Sequence, residues 1–182
     1  MITRTECEAA KRRAAKMIRD AGIAITEKEV ETMAVVDLGL SDLENEGVQV
    51  VTFFNTQRVC AKIIALFPNQ TEPEHWHPSV ENDPGKEETC RVIKGVCRFY
   101  TDGEDNMRDG FIPKGKEDVY TLRHEIVCNP TDQITFMPGE KHWFQAGSEG
   151  CVMYSFSSCA RDLLDQFTDP KIDRDIKIDE TQ

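Results

Sequence analysis

Apolar residues recur at helical spacing over the first forty positions and alternate with polar ones beyond Gly47. Thr3-Arg4-Thr5-Glu6 has the form of a capping box, in which the Thr hydroxyl and the Glu carboxylate satisfy the free amides at a helix start. Ala9, Ala10, Ala14, Ala15, Met17 and Ile18 follow on one helical face, and Gly22 ends the pattern. Thr26-Glu27-Lys28-Glu29 is a second capping box, with Val30, Met33, Ala34, Val36 and Leu38 as its apolar stripe up to Gly39. Two N-terminal helices are therefore predicted. Val48 to Thr56 and Arg58 to Phe67 are rich in β-branched and aromatic residues and predict strands. Glu88 to Ile93, Lys94-Gly95 and Val96 to Tyr100 predict a hairpin. Asp118 to Thr121, His124 to Cys128, Gln133 to Met137, His142 to Ala146 and Cys151 to Ser157 complete the strand set. A short helical stretch is expected from Arg161 to Phe167, then an extended, charged tail.

Many short strands separated by Pro- and Gly-bearing turns predict a mainly β fold, a jelly-roll-like antiparallel barrel preceded by two helices. One domain over residues 1–182 is expected, with a helical segment at 1–40, a barrel at 48–158 and a C-terminal extension at 159–182. The long acidic segment from Thr101 to Glu117 and the segment from Pro78 to Glu87 are predicted loops, where barrels commonly carry specificity.

Charge narrows the class of partner. The formal net charge of −11 disfavours nucleic acid, which needs a basic face, and an anionic membrane surface. No apolar run reaches the roughly 18 residues of a membrane span, and the N-terminal residues lack an apolar signal core. The seven cysteines form no Cys-x-x-Cys pair. Scattered thiols of odd number fit a reduced, cytoplasmic protein better than a disulfide framework.

The chemistry concentrates in three of the four histidines. His75 and His77 are two residues apart and project to one side of a strand. Glu88 opens a strand after the 78–87 loop, and the turn Pro138-Gly139-Glu140-Lys141 delivers His142 to the start of another. Three imidazoles and one carboxylate suit a borderline divalent ion with positions left for water or substrate. His124 fits no such slot and is taken as a polar strand residue. Trp76 and Trp143 adjoin ligands but alternate away from them.

His75-x-His77, Glu88-x6-Gly95 and Pro-Gly-x-x-His142 resemble the two cupin motifs. Two departures narrow the match: ten residues separate His77 from Glu88, where cupins usually have fewer, and Pro138 and Gly139 are adjacent, with Ala146 where an Asn is usual. The stretches 70–78, 85–89, 138–145 and Phe167-Thr168-Asp169-Pro170-Lys171-Ile172 are similar to the cupin-type D-lyxose isomerases, over roughly the C-terminal two-thirds of the chain. The resemblance implies a divalent ion, Mn²⁺ first, on His75, His77, Glu88 and His142. It also implies interconversion of D-lyxose with D-xylulose, and often of D-mannose with D-fructose.

An isomerase of this kind needs an acid or base beside the ion. Lys62, with the strand parity of Ile64 and Leu66, and Asp169, in the matching tail, are the catalytic candidates. Lys86, just before Glu88, and Glu74, which flanks the ligands, are candidates for binding sugar hydroxyls, though alternation points Glu74 away. Two other readings of the same ligands stay open: an Fe(II) cupin dioxygenase and a non-catalytic sugar-binding cupin. Small cupins commonly pair through sheet edges, so a homodimer is expected.

Overall fold

Both capping boxes form in the computed structural model, which describes residues 1–175, 178 and 179. After the short strand β1 (Ile2–Thr3), Thr3 caps helix α1 (Arg4–Asp20), its hydroxyl accepting from the Glu6 amide while the Glu6 carboxylate accepts from the Thr3 amide at 2.7 Å. Thr26 and Glu29 repeat the arrangement at α2 (Glu27–Glu31). The second helix is one turn long and does not run on to Gly39. Ala34–Val36 is instead strand β2, with Val35 and Val36 paired to Gln49 and Val48. Their β-branched side chains favour the extended backbone that a sheet edge offers.

The remaining strands are β3 (Val48–Asn55), β4 (Val59–Leu66), β5 (Thr71–Trp76), β6 (Glu88–Thr101), β7 (His124–Cys128), β8 (Gln133–Phe136), β9 (His142–Ser158), β10 (Gln166–Phe167) and β11 (Ile178–Asp179). The main sheet runs β10-β5-β9-β4-β3-β2, and β6 joins it along β9 while taking β7 and β8 on its other side. It is antiparallel and curls into a cupin-type barrel. β11 pairs with β1 in parallel.

The expected hairpin at Lys94-Gly95 is one long strand, and so are the two strands expected at His142 to Ala146 and Cys151 to Ser157. β6 passes straight through Lys94-Gly95, with irregularities in register on both sides of that pair. Gly95 is at φ +80° there, and a Cβ on it would run into the Gly150 carbonyl, so the two glycines let β6 and β9 cross closely. β9 likewise continues through Gly147 to Gly150. Asp118 to Thr121 is not a strand. Lys116 and Tyr120 close turns back to Pro113 and Lys116, and Tyr120 packs in a small cluster with Tyr100 and Trp143. The expected helix from Arg161 to Phe167 is a 3₁₀ turn at Asp162–Leu164 followed by β10. Residues 176–177 and 180–182 of the tail lie outside the described residues.

Strand alternation divides the core in two. Val51, Ile63 and Ala65 face outward under α1, against Ala10, Ala14 and Ile18. Val50, Ile64, Leu66, Val92, Phe99, Phe144 and Met153 fill the interior. Six cysteines are buried, and all seven are free thiols. Burial pushes the Cys90 and Cys97 thiols well above their ordinary value, which fits inert core residues. No helix among the described residues is long and apolar enough to cross a membrane.

Candidate metal centre

His75 on β5 and His142 on β9 are direct cross-strand partners, so their side chains leave the sheet on the same face. Their ring centroids are 4.3 Å apart, and His77, just beyond β5, places its ring 5.2 Å from each. Two turns gather the set around His77. Its carbonyl accepts from the Gly139 amide at 2.9 Å, which fixes the turn before His142. Gly85, at φ +101°, approaches the same carbonyl so closely that a Cβ would sit 2.6 Å from it. That close approach, which needs glycine, lets the 78–87 loop return to Glu88.

Backbone and carboxylate partners orient the rings. His75 Nδ1 lies 2.7 Å from the Pro73 carbonyl, and His142 Nδ1 lies 2.9 Å from that of Glu140. A carbonyl accepts only, so each Nδ1 carries the proton and each Nε2 keeps its lone pair. His77 Nδ1 is 2.8 Å from Asp165 Oδ1, the carboxylate–histidine pairing that fixes a metal-ligating ring. The three histidines each offer a nitrogen within 4.8 Å of the others. His142 Nε2 is buried with no hydrogen-bond partner, an arrangement unfavourable for a polar atom unless an ion takes its lone pair.

The electrostatics suit a cation. Burial, then the neighbouring imidazoles, pushes His75 well below its ordinary value; burial, then His77, pushes His142 down to about 3. Both are neutral bases. Burial also lowers His77, but Asp165 and Glu88 more than offset it and hold it above the ordinary value. Glu88 Oε2 is 3.1 Å from His77 Nε2 and 3.0 Å from Lys86 Nζ, and Oε1 accepts from the Ser155 hydroxyl. Burial opposes its ionisation, yet Lys86, His77 and Ser155 keep it well below the usual carboxylate range. The three clustered imidazole nitrogens, the unpartnered His142 Nε2 and the ionised Glu88 carboxylate against His77 form a donor set that fits a divalent cation.

A small cavity of about 30 Å³ opens beside His75 and Glu88. Its apolar wall is Val48, Val50, Ile64 and Phe144, and its polar wall carries Lys62, Lys86 and Arg174 against Glu72, Asp162 and Asp165. Lys62 is therefore inward, with the parity of Ile64, and its ammonium pairs with Asp162. Lys86 is buried between Glu88 and Asp162, the latter at 3.4 Å. The C-terminal extension supplies one side: Phe167 pairs with His75, and Asp165 reaches His77.

Glu74 and Asp169 are not brought to this cavity. Alternation turns Glu74 to the opposite face, where its carboxylate accepts from the Thr121 and Leu122 amides and the Thr121 and Thr168 hydroxyls. Asp169 pairs with Lys116 at 2.7 Å and accepts from the Lys171 amide. Both carboxylates anchor the 102–123 and C-terminal segments to the barrel. Trp143 also points outward, stacked 3.6 Å from Tyr100 with its indole N–H on the Leu122 carbonyl. The Lys141 ammonium lies over the Trp76 ring, 5.2 Å from its centre.

Sequence reasoning missed Glu72, Asp162, Ser155 and Arg174. Strict alternation puts Glu72 on the same face as Glu74. A register irregularity between Glu72 and His75 breaks that alternation and turns Glu72 inward. Pro73 was the available signal, because proline inside a strand marks a bulge.

The D-lyxose isomerase family model matches residues 3–182. The chain is 50% identical over 171 residues to the D-lyxose ketol-isomerase of Cohnella laeviribosi, covering 93% of this chain and 94% of that protein. It is 45% identical over 175 residues to the D-lyxose/D-mannose isomerase of Thermosediminibacter oceani, covering 96% and 97%. Among solved structures, L-ribose isomerase of Acinetobacter sp. DL28 in complex with L-ribose shares the fold with a TM-score of 0.77 at 17% identity, over 94% of each chain. That of Cellulomonas parahominis with L-ribose gives 0.75, also at 17% and 94%. With a three-histidine centre inside a cupin-type barrel and a family match along almost its whole length, the chain belongs to the D-lyxose isomerase family.

Proposed function

We propose that this protein is a metal-dependent aldose–ketose isomerase acting on D-lyxose and D-xylulose, and on D-mannose and D-fructose as further substrates. The observation that carries the reading is the cluster of His75, His77 and His142, with Glu88 against His77, beside a cavity lined with charged hydrogen-bonding groups. Those four residues would hold the ion, and Mn²⁺ suits their nitrogen and carboxylate donors. A bound divalent ion supplies electrostatic stabilisation of the oxygen charge that develops as the carbonyl changes carbon. The same donors serve Fe(II), but family membership favours the isomerase over a dioxygenase, and a non-catalytic binder has less use for buried neutral imidazoles.

The chain's own residues supply the rest. Lys62 and Lys86 are ammonium donors on the polar wall, and Asp162 holds both in place. Lys62 donates to a substrate oxygen and exchanges its proton, while Lys86 binds a hydroxyl near Glu88. Phe144 and the valines exclude water and pack on the sugar's C–H face. The cavity's three cations face four carboxylates, Glu88 included, and a neutral sugar suits that near balance. Seven free thiols support a cytoplasmic location. A homodimer has its support in an apolar row across the outer sheet: Phe54 and Phe156 flank Ala61 in register and are 50% and 45% exposed.

The test is a sugar screen on metal-stripped protein, with and without Mn²⁺, under anaerobic conditions. Mn²⁺ should restore conversion of D-lyxose to D-xylulose without O₂. Unchanged turnover in the stripped protein, or none after reloading with any divalent ion, would overturn the proposal.

A further inference from the structure

Glu72 is a buried cavity carboxylate with one oxygen, Oε2, that has no hydrogen-bond partner. The other three carboxylates beside it are engaged: Glu88 by Ser155, Lys86 and His77, Asp162 by Lys62 and Lys86, and Asp165 by His77. Glu72 sits opposite Phe144 in register, one irregular step along β5 from His75. Its carboxylate thus shares the cavity with the candidate ligands His75 and Glu88 without being committed to another side chain. A buried, unpartnered acceptor is unfavourable unless a ligand or a reaction uses it.

We propose that Glu72 is the carbon-acid proton carrier of the isomerisation, taking the C2 hydrogen of the aldose as a proton and returning it to C1. The inference rests on the isomerase reading above. As the carboxylate takes the proton, the C2–H pair becomes the C1=C2 bond and the carbonyl π pair moves to O1, which gains a proton from Lys62. Lys62 then recovers a proton from O2. The O2–H pair forms the new C2=O2 bond, and the C1=C2 π pair takes the proton from the Glu72 carboxyl to make the second C1–H. One hydrogen has moved from C2 to C1 and one from O2 to O1, with no net oxidation.

The surroundings favour such a base. Burial raises the Glu72 carboxyl to about 7; Arg174 and Lys86 pull it down, and Asp165 and Asp162 push it up. Lys62, Glu88 and His75 complete the charged or titratable groups around the cavity. A proton carrier works best when its affinity lies near the working pH. A divalent ion nearby draws the value down, so the acid limb of the rate profile should fall between 4.5 and about 7.

The experiment compares Mn²⁺-loaded wild type, Glu72→Gln and Glu72→Asp in the full chain. In wild type, D-xylulose made in D₂O should carry deuterium at C1. E72Q should lose roughly 10²- to 10⁴-fold in kcat with unchanged bound Mn²⁺, and lose the acid limb; E72D should recover part of the rate together with that limb. In metal-free protein, ¹³C NMR of labelled glutamates should show a carboxyl titrating near 7 that is missing in E72Q. The inference is overturned if E72Q works within about threefold of wild type, if it keeps the acid limb, if E72D is as inactive as E72Q, or if the product carries no solvent deuterium. Wild type without any sugar isomerisation sinks the reading beneath it; an active wild type with an active E72Q sinks this inference alone.

Discussion

Replacing Glu74 by Ala separates two roles that the sequence leaves mixed. Glu74 adjoins His75, which makes a sugar-binding role natural, but its buried carboxylate accepts from two amides, Thr121 and Leu122, and from the hydroxyls of Thr121 and Thr168. In Glu74→Ala the hydroxyls can rotate to other acceptors, whereas the two amides are fixed by the backbone. Each amide left without a partner costs about 1 to 3 kcal/mol, so the loss should be about 2 to 6 kcal/mol, less whatever water entering the gap restores. For a chain of this size that lowers Tm by roughly 5 to 20 °C. Urea unfolding followed by far-UV circular dichroism reads the change as a shifted midpoint at constant slope. At a temperature where the variant is folded, and with Mn²⁺ in saturating excess, its KM for D-lyxose should stay within about threefold of wild type. A stability loss under about 1 kcal/mol combined with a strongly raised KM would refute the reasoning and return Glu74 to the substrate.

Other expectations follow from the same geometry. In metal-free protein the Glu72 carboxyl binds its proton more tightly folded than unfolded, so its stabilising contribution is complete below pH 4.5 and lost as pH rises to about 7. That corresponds to about 3 kcal/mol, and denaturant titrations at pH 5 and pH 8 should differ less in Glu72→Gln than in wild type by roughly that amount; equal differences would count against the burial effect. His142→Ala should lose bound Mn²⁺ and at least about 100-fold in activity, as measured by elemental analysis and sugar conversion. Asp165→Asn removes the partner of His77 Nδ1 and should weaken Mn²⁺ binding about 10- to 100-fold by calorimetry. Because His77 is held above its ordinary value of 6.5, Mn²⁺ uptake near pH 6.5 should release a proton in wild type and release less in that variant.

The candidate metal donors were legible because each carries a local signature. A His-x-His pair on a strand keeps both rings on one side, and Gly85 and Gly139 mark turns whose geometry can be anticipated from residue type. Helix starts were legible for the same reason, since a capping box is complete within four residues. Lengths were not. Whether Lys94-Gly95 turns or continues depends on β9 lying alongside, and whether Val35-Val36 is helix or strand depends on β3. Those are long-range pairings, and local propensity yields to them.

The cavity shows a deeper limit, which lies in the backbone and not in residue chemistry. Glu72 and Glu74 share sequence parity, and either is a plausible sugar contact by charge alone. One irregular step at Pro73 assigns them opposite tasks. Glu74 is buried in hydrogen bonds that hold the 102–123 segment and Thr168 against β5; Glu72 is left facing the cavity. Asp165 and Asp162 arrive from a segment some 90 residues further along the chain. Asp165 reaches His77, and Asp162 the cavity lysines, because Phe167 completes a short strand beside His75, and Thr168, which follows it, bonds to Glu74. The outward carboxylate therefore helps position the inward ones. On this argument the damage from Glu74→Ala should spread through the C-terminal segment to Asp165 and His77, and metal affinity should fall along with stability.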